Sequence, residues 1–206
     1  MKFTNSPPPI AAARGFANPV LDAQATFRSV LSALAEPGTL HRVAIPAECC
    51  PGFSSAMTAL ALTLADFETR LWLDVGSQGA AAAYLRFQTG APVTAAVGDA
   101  TFAFITQPAE MLALSAFAQG SLDYPDSSCT IVVDVRAIET THGFRLTGPG
   151  IPGLRRLHIK PLPETFAADI AANRAAFPMG VDLLFCRDTM VAALPRTTFV
   201  TGSNGD

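Results

Sequence analysis

Arg196, Thr197 and Thr198 stand together near the end of the chain. A guanidinium beside two hydroxyls can take a phosphate or phosphonate in two-point fashion. Asp182 interrupts the apolar run from Val181 to Phe185, and a carboxylate there needs a partner. These four residues are the candidate binding set. Two roles are open to them: an anion site at a strand end, or an internal Arg196–Asp182 ion pair that holds a hairpin closed. A third charged spot, Asp66, Glu68 and Arg70, lies at a helix-to-strand junction and reads as a solvated turn.

Other chemistry finds little footing. No G-x-x-x-x-G-K-[ST] or G-x-G-x-x-G loop is present. The stretch Gly148-Pro149-Gly150-Ile151-Pro152-Gly153 is rich in glycine, but its two prolines lack the N–H groups that grip phosphate, so it reads as a structural turn. There is no G-x-S-x-G elbow. His41, His142 and His158 are widely spread, and none forms an i, i+4 ligand pair, so no metal is expected. Cys49, Cys50, Cys129 and Cys186 show no C-x-x-C spacing and read as reduced thiols of a cytoplasmic protein. Lysine occurs only at positions 2 and 160. Schiff-base chemistry such as that of pyridoxal phosphate (PLP) therefore has one candidate inside the fold, Lys160, and no cofactor is expected. No catalytic residue is assigned.

The candidate residues need elements to hold them. Asn18 and Pro19 open a first helix that Glu36-Pro37-Gly38 stops, with Val20, Phe27, Leu31 and Leu34 on one apolar face. A strand over 39–45 follows, then a helix from Ser54 or Ser55 to about residue 65. A strand over 70–75 and a helix over 78–87, closed by Gly90, come next. Extended segments are expected at 92–97 and 101–105, a helix over 106–118, and a strand over 129–135. Segments 144–147 and 154–159 flank the Gly/Pro turn. A helix runs from Pro163 to near Pro178, and strands 181–186 and 190–194 form a closing hairpin that carries Asp182. Helices and strands alternate throughout, which predicts a three-layer α/β/α domain with a mixed sheet. One domain over residues 16–201 is expected, between a disordered lead-in over 1–15 and a frayed tail over 202–206.

Half of the 206 residues are hydrophobic and only 15% are charged. That supplies less charge than a monomer's surface usually carries, which predicts apolar surface covered by a partner. The net charge of −3 and the scattered cations exclude a nucleic-acid footprint. No apolar run approaches the length needed to cross a membrane, and Met1–Pro9 has no signal-peptide core.

Six blocks in order resemble one family. They are Asp22-Ala23-Gln24 with Phe27-Arg28 and Glu36-Pro37-Gly38; Leu62-Thr63-Leu64-Ala65-Asp66 with Thr69-Arg70-Leu71-Trp72-Leu73; Leu85-Arg86-Phe87 with Thr89-Gly90-Ala91-Pro92; Leu146-Thr147-Gly148-Pro149-Gly150-Ile151; Phe177-Pro178-Met179-Gly180-Val181-Asp182-Leu183; and Leu194-Pro195-Arg196-Thr197-Thr198. Together they are similar to the PhnH family, the H subunit of the bacterial carbon–phosphorus lyase system. The resemblance implies a fold like the large domain of PLP-dependent transferases but lacking the cofactor's lysine. It implies a homodimer that joins G, I and J subunits. It also implies an accessory role, with G and I, in displacing a nucleotide's base by a phosphonate. No family catalytic residue carries over. A stand-alone transferase with a nucleotide or phosphonate pocket, and a pure dimerisation scaffold, are the alternatives.

Overall fold

Six strands form the central sheet of the computed structural model, which describes residues 14–205. The expected lead-in over 1–15 lies outside the described residues except at Arg14 and Gly15, whose carbonyls accept from Glu48 and Ala47 N–H. In chain order the elements are α1 Pro19–Ala35, β1 His41–Arg42, α2 Ser55–Leu64, β2 Leu71–Leu73, α3 Ala80–Thr89, β3 Phe102–Ile105, β4 Thr130–Asp134, β5 Ala137–Thr147, β6 Arg155–Lys160, α4 Phe166–Ala175, β7 Asp182–Arg187, β8 Met190–Leu194 and β9 Phe199–Thr201. The central sheet runs β1-β8-β7-β4-β3-β2. Strands β2, β3, β4 and β7 are mutually parallel, and β8 and β1 add antiparallel at one edge.

Alternation along these strands feeds two cores. Phe104, Val132, Leu184 and Ala193 point to the side covered by α1, α2 and α3. Ala103, Ile105, Ile131, Val133, Leu183 and Phe185 point to the other. The second outer layer differs from the expected helical one. It is built mainly by a three-stranded antiparallel sheet, β6-β5-β9, with α4 beside it. Its long β5 was legible in sequence only over 144–147, because Glu139, Thr140 and Thr141 are polar and exposed. The β5–β6 register slips between Glu139 and Phe144. Gly143 sits at that slip with φ 93°, and a Cβ there would come 2.6 Å from the Leu157 carbonyl oxygen.

Helix α1 begins as its residues dictate. Asn18 accepts from Leu21 N–H, and Pro19 takes the first helical position. It does not bury the apolar face expected from spacing. Thr26, Val30 and Ala33 face the core, whereas Val20, Phe27 and Leu31 are 77%, 46% and 49% exposed. The physical reason is proximity: α1 lies against β8, α2 and β1, and small or β-branched residues permit that approach. The buried Thr26 hydroxyl accepts from Ala44 N–H, and the Ser29 hydroxyl donates to the Arg42 carbonyl at 2.6 Å. Helix α2 carries one apolar stripe, Met57, Leu60, Ala61 and Leu64, with Leu62 off it, which predicts cover on more than one side; every residue from Ala56 to Ala61 is buried.

Residues 106–118 do not form the expected helix. They make two single 3₁₀ turns, Pro108–Glu110 and Leu114–Ala116, separated by extended backbone at Met111 and Ala113. The Gln119 amide donates to the carbonyls of Leu114 and Phe117, replacing helical N–H donors, while the Leu114 and Phe117 side chains enter the core. Strand β9 was not expected at all; it pairs antiparallel with β5. Beyond it, where fraying was expected, the Asn204 amide accepts from Ile159 N–H and donates to the Ile159 carbonyl.

Candidate functional site

The β7–β8 hairpin brings Asp182, at the start of β7, alongside Arg196, two residues past β8. Asp182 Oδ1 accepts from Arg196 N–H at 2.8 Å and from Nε at 3.2 Å, and Oδ2 accepts from Nη2 at 2.6 Å. Nη2 also donates to the Ser128 hydroxyl, and Nη1 donates to the carbonyls of Pro125 and Pro178. Each guanidinium N–H thus has an acceptor within the protein. The side chains are only 13% and 23% exposed. Arg196 thereby joins three segments: the hairpin, the 3₁₀ turn Pro125–Ser127 before β4, and the loop after α4.

Thr197 and Thr198 follow in a turn in which Thr198 N–H donates to the Pro195 carbonyl. Thr197 is partly buried. Thr198 is 3% exposed, and its hydroxyl has no hydrogen-bond partner among the described residues. The four residues are therefore neighbours, but Arg196 and Asp182 are engaged with each other, and neither threonine hydroxyl bonds to them.

Two carboxylates that sequence reasoning passed over mark the carboxyl end of the parallel strands. Asp74, just after β2, accepts from the N–H groups of Thr106 and Gln107 at 2.6 and 2.8 Å and from the Thr106 hydroxyl. Asp134, the last residue of β4, accepts from Ser54 N–H at the start of α2 at 2.9 Å. Burial raises the Asp134 carboxyl above its ordinary 3.8, and the Ser54 hydrogen bonds oppose that rise. Neither position has a motif around it; each is defined by strands and a helix that meet only in three dimensions. Beside Asp74, a cavity of about 210 Å³ is lined by Trp72, Ile105, Gln107, Glu110, Met111 and Leu112.

The remaining chemical residues are mostly structural. His142 and His158 stack at 4.3 Å across the β5–β6 ribbon, and His158 Nδ1 bonds the Asn204 carbonyl. The Asp66 carboxylate accepts from Glu68 and Thr69 N–H, which makes the expected solvated turn. The Gly/Pro stretch is a turn too. Gly150 has φ 76°, a Cβ on it would meet the Ala35 carbonyl oxygen at 1.9 Å, and Arg155 donates to the Gly150 and Pro37 carbonyls. Cys50, Cys129 and Cys186 are buried, which pushes the thiols of Cys50 and Cys129 up to about 12; Cys49 alone is exposed. Among the described residues no group of three potential metal ligands comes together, and no helix is long and apolar enough to cross a membrane.

The geometry sets out well-bonded clasps rather than a nucleophile with its base. Against that background, residues 14–201 match the family profile described as bacterial phosphonate metabolism protein (PhnH). The chain belongs to the PhnH family. It is 40% identical over 184 residues to a Rhizobium meliloti protein of that family, named alpha-D-ribose 1-methylphosphonate 5-triphosphate synthase subunit PhnH, covering 89% of this chain and 92% of the relative. It is also 36% identical over 81 residues to HtxG of Stutzerimonas stutzeri, by name a provisional C-P lyase subunit protein, covering 39% of this chain and 42% of that one. PhnH membership accounts for the sixfold run of sequence blocks, which extends from α1 to the turn carrying Arg196.

Proposed function

We propose that this chain is a subunit of a carbon–phosphorus lyase assembly in organic phosphonate catabolism. In that role it supports, with G and I subunits, transfer of a phosphonate to the ribose C1 of a nucleoside triphosphate with loss of the base. The chain acts as an accessory subunit, dimeric in isolation, cytoplasmic and without a resident cofactor. The observation that carries this reading is the side of α1. Val20, Phe27 and Leu31 form an i, i+7, i+11 stripe that the chain's own fold leaves 77%, 46% and 49% exposed. Large apolar side chains aligned along one helix are the ordinary signature of a surface completed by another subunit. The parallel strands β2, β3, β4 and β7 flanked by helices also suit a scaffold like the large domain of PLP-dependent transferases. In it the Arg196–Asp182 clasp holds the closing hairpin in place.

Co-expression with candidate G, I and J subunits, followed by affinity capture of one of them, tests the reading. Stoichiometric recovery of this chain is expected, together with its loss on Phe27→Asp with Leu31→Asp. Capture of the other three without this chain would remove the assembly role. A stand-alone transferase would instead show base release from a nucleoside triphosphate and methylphosphonate by the purified chain.

A further inference from the structure

Arg136 and Lys160 line one open cavity of about 360 Å³, with Pro161, Leu162 and Asn204 as its other walls. The ribbon's register brings the two cations together. Ala137 pairs with Lys160, and Arg136 N–H donates to the Lys160 carbonyl at 2.8 Å. Asn204 is held at the third side because both ends of its amide are bonded to the Ile159 backbone. Its own carbonyl is bonded to His158, so the tail that closes this side is fixed at two points.

The charge around this cavity is one-sided. The ion pairs among the described residues use His142, Arg155, Arg187 and Arg196, and none uses Arg136 or Lys160. Two cations lining one space repel each other, and an anion between them reverses the sign of that interaction. Lys160 is one of only two lysines in the chain, so this pairing draws on scarce charge. The location also suits a ligand: Arg136 leaves β4 two residues beyond Asp134, at the carboxyl end of the parallel strands, where open α/β sheets collect their ligands. A guanidinium offers a planar fork of donors and an ammonium a mobile point charge, and together they suit tetrahedral oxyanions with more than one charge. The volume lies in the range of small-molecule sites and exceeds what one inorganic ion fills.

We propose that this cavity is an oxyanion site for a phosphorus-centred group, either the polyphosphate chain of a nucleotide or a phosphonate head. Which of the two enters rests on the assembly role proposed above; that a multiply charged oxyanion enters rests on the cavity alone. Arg136 supplies the two-point contact and Lys160 the second charge. Leu162 and Pro161 give an apolar wall against which the uncharged part of the ligand lies.

Titration calorimetry on the isolated full-length chain tests this with two probes, tripolyphosphate and methylphosphonate. Saturable binding of at least one is expected. Arg136→Gln and Lys160→Gln should each weaken it roughly tenfold, the usual effect of losing one charge-assisted contact. Arg28→Gln, which removes the same charge from the exposed side of α1, should leave it unchanged. Tighter binding of tripolyphosphate assigns the site to a nucleotide's phosphates; tighter binding of methylphosphonate assigns it to the phosphonate. Absence of saturation by either probe up to roughly 10 mM, a limit weaker than any useful site, overturns the proposal. So does binding that the combined Arg136→Gln, Lys160→Gln variant retains, or that Arg28→Gln weakens equally. Both substituted side chains are exposed, so the variants should melt with the parent; a variant that does not is replaced by Arg136→Lys, which keeps charge but loses the fork. Capture by the assembly partners is read separately, so loss of the anion site and loss of the assembly role give different results.

Discussion

Arg196 meets Asp182 through its main chain and its side chain at once: the backbone N–H and Nε share Oδ1, while Nη2 takes Oδ2 at 2.6 Å. With Ser128 and the carbonyls of Pro125 and Pro178 as further acceptors, the guanidinium is fully engaged. Breaking a pair this shielded strands the other charge, which costs about 2–4 kcal/mol. Arg196→Gln should therefore lower Tm by roughly 5–12 °C for a domain of this size. Asp182→Asn should cost less, because an amide still accepts from Arg196 N–H. Calorimetric melting checks both; a Tm equal to the parent's for Arg196→Gln would return Arg196 to the list of ligand-binding groups.

Thr198 bears a buried hydroxyl with no partner among the described residues, a cost the fold carries without return. Thr198→Val keeps the shape and removes the orphaned group. It should raise stability by up to about 1 kcal/mol, read as a small upward shift of Tm. A clear fall would show that the hydroxyl has an occupant, such as a bound water or a ligand atom.

Asp134 has its carboxyl raised above 3.8 by burial, so the folded protein holds that proton more tightly than the unfolded chain does. Between the two values the folded state binds more protons, and stability falls as pH rises through them. Asp134→Asn preserves an acceptor for Ser54 N–H and removes the titration. The variant should match the parent at pH values below about 3.8 and gain on it as pH climbs toward neutrality. Parallel denaturant melts across that range give the difference; a gap that shrinks with pH would reverse the sign argued here.

The stripe on α1 makes a prediction about mass. The parent should scatter light as a dimer of its 21.5 kDa chain. If the stripe is the dimer surface, Phe27→Asp with Leu31→Asp should give a folded monomer with the parent's circular dichroism, because neither residue belongs to the buried core, and with a Tm that no longer depends on protein concentration. A variant that stays dimeric would move the self-contact elsewhere on the surface.

Local signals were the legible part of this chain. Asn18 caps α1 with Pro19 at its first position, and Gly90 closes α3, through chemistry that acts within one turn and is visible in the sequence; of Ser54 and Ser55, both open from sequence, Ser54 is the cap of α2. The apolar side of α1 was visible as a pattern, but a period cannot tell a face turned to the core from one turned to a partner. What decided it was the small size of Val30, Ala33 and Thr26 at close packing, a tertiary fact. The helix expected over 106–118 failed for a related reason: Leu114 and Phe117 reach the core from separate 3₁₀ turns, with Gln119 in place of helical donors. At the site, the Arg196–Asp182 pair was among the readings open from sequence. Pro125 and Ser128 were not, since they lie some seventy positions away along the chain. Arg136 with Lys160 was hidden likewise, because only the β5–β6 pairing joins them.

The unequal burial of the four cysteines has a practical consequence. Cys50, Cys129 and Cys186 are shut in the core with thiols that resist ionisation, while Cys49 stands in solvent beside the start of α2. Thiol-directed dyes and spin probes react with the thiolate of an accessible sulfur. The unmodified protein thus carries a built-in single attachment point. A fluorophore there would follow subunit encounter in real time without any substitution having first been introduced.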